Sequence, residues 1–184
     1  IHILNDEAEP LPAGQRGKVF FSGREAVSYH NDPNKTAAAR SPQGYSTMGD
    51  LGYLDADGYL FLTDREAFTI ISGGVNVYPR EVEEAISTDS RVAEAAVFGS
   101  PDNDLGEVVT AVVELQRDCE PTLDIAKMIR ERLRAHLSPH KLPRKLAFVD
   151  QMPLTDSGKI HKARLRENWE YHCDHVYERT ALDE

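Results

Sequence analysis

The sequence predicts an α+β fold, β-rich up to about residue 65 and mixed strands and helices beyond it. Three observations carry this. Asp55-Ala56-Asp57-Gly58 stands between two apolar runs, a strong hairpin signal. Amphipathic helical spacing starts only at Pro79 and returns after Pro121. The elements do not follow a strict β-α-β alternation, which argues against a doubly wound parallel sheet.

In chain order, residues 1–5 alternate weakly and read as a short strand. Lys18-Val19-Phe20-Phe21, between Gly17 and Gly23, is a second. Asp32-Pro33 opens a short helix through Ala39, because Asp caps well and Pro suits the first helical position. Leu51 to Leu54 and Tyr59 to Leu62 are the hairpin strands. Phe68 to Ile71 is a strand, and Val75 to Val77 pairs with it or follows it. Pro79 starts a helix with Val82, Ala85 and Ile86 on one face and Glu81, Glu83 and Glu84 in its early turns, where the dipole favours acids.

Val92 to Phe98 and Val108 to Leu115 are strands, with Ser100 to Gly106 as a polar loop between them. A helix spans about Thr122 to His136, with Ile125, Met128, Ile129 and Leu133 as its apolar stripe and Met128 as core filling. Leu146 to Val149 is a strand. A loop carrying Lys159 leads into a final helix around His161 to Arg166. The tail from Glu167 is polar and receives no assignment.

The chain has 184 residues, 40% hydrophobic and 28% charged, as in a globular protein. Its 31 acidic and 21 basic residues give a net charge of −10, which argues against nucleic-acid binding. Two distant cysteines, Cys119 and Cys173, form neither a disulfide framework nor a metal spacing; as free thiols they fit a reducing, cytoplasmic location. No apolar run reaches the ~18 residues of a membrane helix. The start at Ile1, directly in a strand-like segment, reads as a cut from something longer.

Tyr45 to Pro79 holds the candidate chemistry: Asp50 after Gly49, the hairpin turn, the Asp64-Arg65 pair and Gly73-Gly74. An ionised carboxylate offers two acceptor oxygens to vicinal hydroxyls, and an Arg forks onto hydroxyls or phosphate. The stretch therefore reads as a nucleotide-handling surface. The plainer alternatives are a turn-capping Asp50 and a surface Arg65 paired with Asp64.

Gly49-Asp50-Leu51-Gly52-Tyr53 with Asp57-Gly58-Tyr59, then Asp64-Arg65 with Gly73-Gly74, then Pro153-Leu154-Thr155-Asp156-Ser157-Gly158-Lys159 occur in that order. With these, the chain from about Val19 to Arg166 resembles the C-terminal end of the adenylate-forming (AMP-binding) superfamily. The resemblance implies residues 1–65 as the terminal β-rich segment of a large N-terminal AMP-binding domain. Residues 66–184 would be the mobile, small α+β C-terminal domain. It implies an ATP-dependent acyl-CoA ligase that turns a carboxylic acid, fatty or related, into an acyl-adenylate and passes it to CoA.

By the same resemblance, Asp50 and Arg65 hold the ribose hydroxyls of ATP, and Gly74 lines the pantetheine tunnel while Gly73 supports the turn. Lys159 is the catalytic lysine of adenylation, a point charge offsetting repulsion between carboxylate and α-phosphate; its alternative is a solvated loop lysine. His140, Lys141, Arg144 and Lys145 form a basic cluster that meets the CoA phosphates or is simply a solvated face. The sequence departs from the family at Met48, where Thr is usual, and at Ala67, the hinge position. The family's phosphate loop, acid pocket and magnesium-holding Glu fall outside these residues, so the chain alone is expected to be inactive, with the N-terminal domain as its partner. An adenylation domain loading a carrier protein and a non-catalytic binding module are the alternative readings.

Overall fold

The computed structural model describes residues 1–23, 28–173 and 175–183. The chain forms two compact units, Ile1–Ala67 and Phe68–Glu184.

The first unit is a four-stranded antiparallel sheet in the order β1-β2-β3-β4, with β1 His2–Leu4, β2 Gly17–Phe20, β3 Asp50–Leu54 and β4 Leu60–Arg65. Between β2 and β3 lies helix α1, Pro33–Ala38; the Asp32 side chain accepts from the Lys35 N–H and Pro33 takes the first turn, as the sequence predicts. The β3–β4 turn is held by Asp55, whose Oδ1 accepts from the N–H groups of Asp57 and Tyr59, while Gly58 supplies a φ of 84°. Ile3, Leu4, Val19, Phe20 and Leu51 are buried. Gly52 is required by close approach: a Cβ there would stand 2.5 Å from the Phe61 carbonyl oxygen.

The second unit opens with the short antiparallel pair β5, Ile70–Ser72, and β6, Val75–Val77. Helix α2, Pro79–Ile86, follows, then the long hairpin of β7, Val92–Asp102, and β8, Gly106–Leu115. Helix α3, Leu123–Arg134, crosses to β9, Lys145–Phe148, which runs parallel to β8; a parallel neighbour needs such a crossover. The chain ends with α4, Lys162–His172, β10, His175–Glu178, antiparallel to β9, and α5, Arg179–Asp183. The sheet order is β10-β9-β8-β5-β6, with β7 paired to β8.

Both faces of this sheet are covered, so its central strands read as nearly continuous apolar runs. Val97, Ala111, Val113, Leu146 and Phe148 pack with Val82 and Ile86 of α2 and with Ala126, Ile129 and Leu133 of α3. The alternate residues Ala96, Phe98, Val112 and Ala147 pack with Met152 and with Leu165 and Trp169 of α4. The Trp169 ring meets Phe98 edge-on, with centroids 6.3 Å apart.

Three expectations need correction, and one stretch left without assignment is structured. Glu66–Phe68 is a single 3-10 turn, and the strand starts only at Ile70. Most of the expected loop Ser100–Gly106 belongs to the β7–β8 ladder, which runs on to the pair Asp102–Gly106. There the Ser100 and Thr110 hydroxyls bond across the strands at 2.6 Å, and Asp102 Oδ1 caps the turn by accepting from Asp104 and Leu105 N–H. Met128 is exposed; the inward face of α3 is Ala126, Ile129, Arg130 and Leu133. The tail from Glu167 is structured, with α4 running to His172 and β10 and α5 beyond it.

Candidate functional site

In the first unit Asp50 begins β3 and Arg65 ends β4, and the two are partners in the ladder register. Arg65 Nε lies 3.3 Å from Asp50 Oδ1. The carboxylate is mostly shielded, the guanidinium largely exposed. Asp64, the partner of Arg65 in the plainer reading, takes that residue's backbone N–H on its Oδ1 at 2.7 Å. Gly49, with φ 80°, makes the bend into β3, and its carbonyl accepts from Glu66 N–H.

Thr47, one step before Met48, does not offer its hydroxyl outward. The Thr47 hydroxyl is turned inward, donating to the Val19 carbonyl at 2.7 Å and accepting from Gly49 N–H at 3.0 Å. It is buried and committed to the backbone, while the Met48 side chain stands exposed.

In the second unit Gly73 and Gly74 form the two-residue turn between β5 and β6, with φ of 57° and 79°. Positive φ at both central residues is the hairpin geometry that matches strand twist. A Cβ on Gly74 would meet nothing within 4 Å, whereas one on Gly73 would sit 3.1 Å from Leu105 Cδ2. The backbone therefore gives a reason for both glycines before any ligand is considered.

The basic cluster around residue 140 is divided. Lys141 Nζ is held by both oxygens of Glu81, at 2.6 and 2.8 Å, near the start of α2. Lys145 lies over the Trp169 ring, 5.7 Å from its centroid. His140 and Arg144 line a cleft of about 880 Å³ that also touches Gly73. Sequence reading missed the other charges of that cleft, Arg130, Arg134, Arg179 and Asp183. The Asp183 carboxylate accepts from all three arginines, and this holds it below the ordinary carboxylate range. The Arg130–Arg134 spacing is the one signal the sequence offered, since residues four apart share a helix face.

Lys159 sits on the return arm of a small hairpin. Thr155 organises it: its N–H donates to the Lys159 carbonyl at 2.7 Å, its carbonyl accepts from Gly158 N–H, and its hydroxyl oxygen accepts from Lys159 N–H at 3.2 Å. Gly158, with φ 77°, makes the turn, and Leu154 and Ile160 close a β-bridge at the base. Lys159 is exposed beside a cleft of about 540 Å³ that also touches Glu94, Glu114 and Lys162. Lys162 is committed to Glu83 at 2.7 Å.

This arrangement offers two kinds of chemistry. The Asp50 carboxylate, with two acceptor oxygens, lies beside an exposed guanidinium suited to hydroxyls or phosphate. Lys159 presents a cation on a braced, solvent-facing hairpin. Among the described residues no group of three or more His, Cys, Asp or Glu is gathered to hold a metal ion, and no helix is long and apolar enough to cross a membrane.

Residues 81–159 match the family model of the AMP-binding enzyme C-terminal domain, with Lys159 as the last residue matched. A long-chain-fatty-acid–CoA ligase of Bacillus subtilis is 37% identical over 168 residues, covering 90% of this chain and 29% of that protein. A sulfoacetate–CoA ligase of Cupriavidus necator is 34% identical over 168 residues, covering 89% and 32%. The crystal structure of ATP-bound MatB from Rhodopseudomonas palustris superposes with a TM-score of 0.82 at 33% identity, over 92% of this chain and 33% of that one. The chain thus spans about a third of the length of the relatives it matches.

Proposed function

We propose, from the premise that the chain belongs to the adenylate-forming enzymes, that it works as part of an ATP-dependent acid–thiol ligase. The reaction joins a carboxylic acid to ATP as an acyl-adenylate with release of pyrophosphate, then passes the acyl group to the thiol of CoA. The observation that carries this reading is the braced hairpin that presents Lys159 at the end of the matched region. Carboxylate attack on the α-phosphate brings two anions together, and a positioned cation lowers that barrier.

In this reading Asp50 accepts from the ribose hydroxyls and Arg65 supports it. Residues 1–65 close the nucleotide-binding domain, and residues 66–184 are the mobile domain that brings Lys159 to it, turning about Ala67. Gly74 lets the pantetheine arm pass, and Lys141, with His140 and Arg144, meets the CoA phosphates once Glu81 yields. Magnesium would be held by a carboxylate outside these residues, where it would neutralise phosphate charge. The chain by itself would not turn over. A fatty or related acid is the proposed substrate, supported by the Bacillus relative; the sulfoacetate relative shows how far acids range across similar chains.

The test is pyrophosphate release by the full-length polypeptide containing the chain, across fatty, aromatic and short acids, with Lys159→Ala beside it and CoA added second. Release that needs an acid, falls at least 100-fold in Lys159→Ala, and yields a thioester with CoA supports the ligase. Release without discharge to CoA, but with discharge to a carrier-protein thiol, supports carrier loading instead. A folded protein inert with every acid, or a Lys159→Ala variant as active as the parent, overturns the enzyme reading and leaves a non-catalytic binding module.

A further inference from the structure

The hairpin that carries Lys159 is anchored by a carboxylate from a different element. After β9 the chain leaves the sheet, and the Met152 N–H, beyond the last ladder bond, is taken by Glu114 Oε2 at 2.7 Å. Glu114 stands one residue from the end of β8 and is half-buried. A hydrogen bond from a backbone N–H to an ionised carboxylate is stronger and shorter than a neutral one. The Met152 side chain is itself buried, among Ala96, Val112 and Leu165. One residue later the Pro153 carbonyl accepts from His161 N–H, and the Leu154–Ile160 bridge follows. The stem of the hairpin is thus fixed at its first residue by Glu114 and at its far side by the start of α4.

Glu114 also lines the cleft beside Lys159, and its partner across β7 and β8 is Glu94. Two carboxylates facing each other across a ladder repel. Glu114 is nonetheless placed there, with Oε2 on the Met152 N–H, at the point where the hairpin leaves the sheet.

We infer that Glu114 is a positioning residue for Lys159: its bond to the Met152 N–H sets the register and direction of the hairpin that delivers the lysine. This rests on the proposed role of Lys159. Misplacement of a catalytic group by about 1 Å can cost on the order of 100-fold in rate, so a stem freed at Met152 slows the step that uses Lys159. Substrate binding, made by other residues, is left as it was.

The experiment uses the full-length polypeptide and measures the adenylation half-reaction of Glu114→Ala, Glu114→Gln and Glu114→Asp, with Lys159→Ala and the Lys159→Ala/Glu114→Ala double variant. Glu114→Ala is expected to lower kcat at least tenfold with KM for ATP and acid within twofold. Glu114→Gln, whose amide oxygen still accepts from Met152 N–H, stays within threefold of the parent. Glu114→Asp keeps the charge and the fold but is one methylene too short, and behaves like Glu114→Ala. The double variant is no slower than Lys159→Ala, because Glu114 acts only through Lys159. If Glu114→Ala does not fold, Glu114→Asp and Glu114→Gln decide alone. The inference is overturned by unchanged kcat in Glu114→Ala or Glu114→Asp, by a Glu114→Gln as slow as Glu114→Ala, by a change confined to KM, or by additive losses in the double variant. Full activity in Lys159→Ala would instead bring down the ligase reading itself.

Discussion

Asp50 and Arg65 face each other in register across β3 and β4, with Nε 3.3 Å from Oδ1. The guanidinium is 64% exposed, and a pair so open to water contributes roughly 0–1 kcal/mol. Stability therefore gives little reason for an Arg at this position. Arg65→Ala is expected to move the urea midpoint by less than the equivalent of about 1 kcal/mol. In the full-length polypeptide, KM for ATP should rise about tenfold, the loss of one charge-assisted contact of about 1.4 kcal/mol. Asp50→Asn, which turns one acceptor oxygen into a donor, should raise it at least as much. Equilibrium unfolding beside ATP titration of the rate separates the two effects; a large stability loss with unchanged KM would make the pair structural.

The Gly73-Gly74 turn allows backbone demand to be separated from passage of a ligand. Gly74→Ala meets open space but keeps φ near 79°, a left-handed conformation that costs an Ala about 1–2 kcal/mol. Gly73→Ala carries the same backbone cost and in addition presses on Leu105. Thermal unfolding should therefore rank the parent above Gly74→Ala, and Gly74→Ala above Gly73→Ala. If the pantetheine arm passes Gly74, Gly74→Ala should also slow thioester formation while leaving adenylation within twofold. Equal loss in both half-reactions would assign Gly74 to the turn alone.

What could be read from the sequence was local. The Asp55–Gly58 hairpin, the Asp32-Pro33 helix start and the inward Val82 and Ile86 depend on neighbours a few residues apart, and the structure has them as predicted. Met128 was misplaced because the phase of α3 is set by the sheet it packs on. That packing turns Arg130 inward, where its Nε donates to the Pro143 carbonyl, and leaves Met128 outside against Arg91. The tail was unreadable for the same reason: β10 exists by pairing with β9, and α4 is ordered by Leu165 and Trp169 against a sheet face drawn from three other strands. At the site, Asp50, Arg65, Gly74 and Lys159 stood out by motif. Glu114 did not, because nothing near it in sequence signals a bond to Met152, 38 residues on.

The junction of α2, β7 and α3 is tied by a buried carboxylate, and this gives the second unit an acid-sensitive point. Asp89, 2% exposed, accepts from Arg91 through its backbone N–H at 3.1 Å, its Nε at 2.9 Å and its Nη2 at 2.6 Å, with Arg132 at 3.5 Å. The hydrogen bonds from Arg91 hold its pKa below the ordinary 3.8, outweighing the opposing effect of burial. A depressed pKa means that the unfolded chain binds the proton more tightly. The stabilisation is complete above the unfolded value near 3.8 and is lost as pH falls through the lower folded value. Asp89→Asn keeps the shape but not the charge, and should cost about 1–3 kcal/mol at neutral pH. The difference in stability between parent and variant should be constant from pH 7 to about 5 and shrink below 4. Urea unfolding at a series of pH values measures it directly. A difference that persists undiminished at pH 2.5 would show that Asp89 acts through packing rather than through its charge.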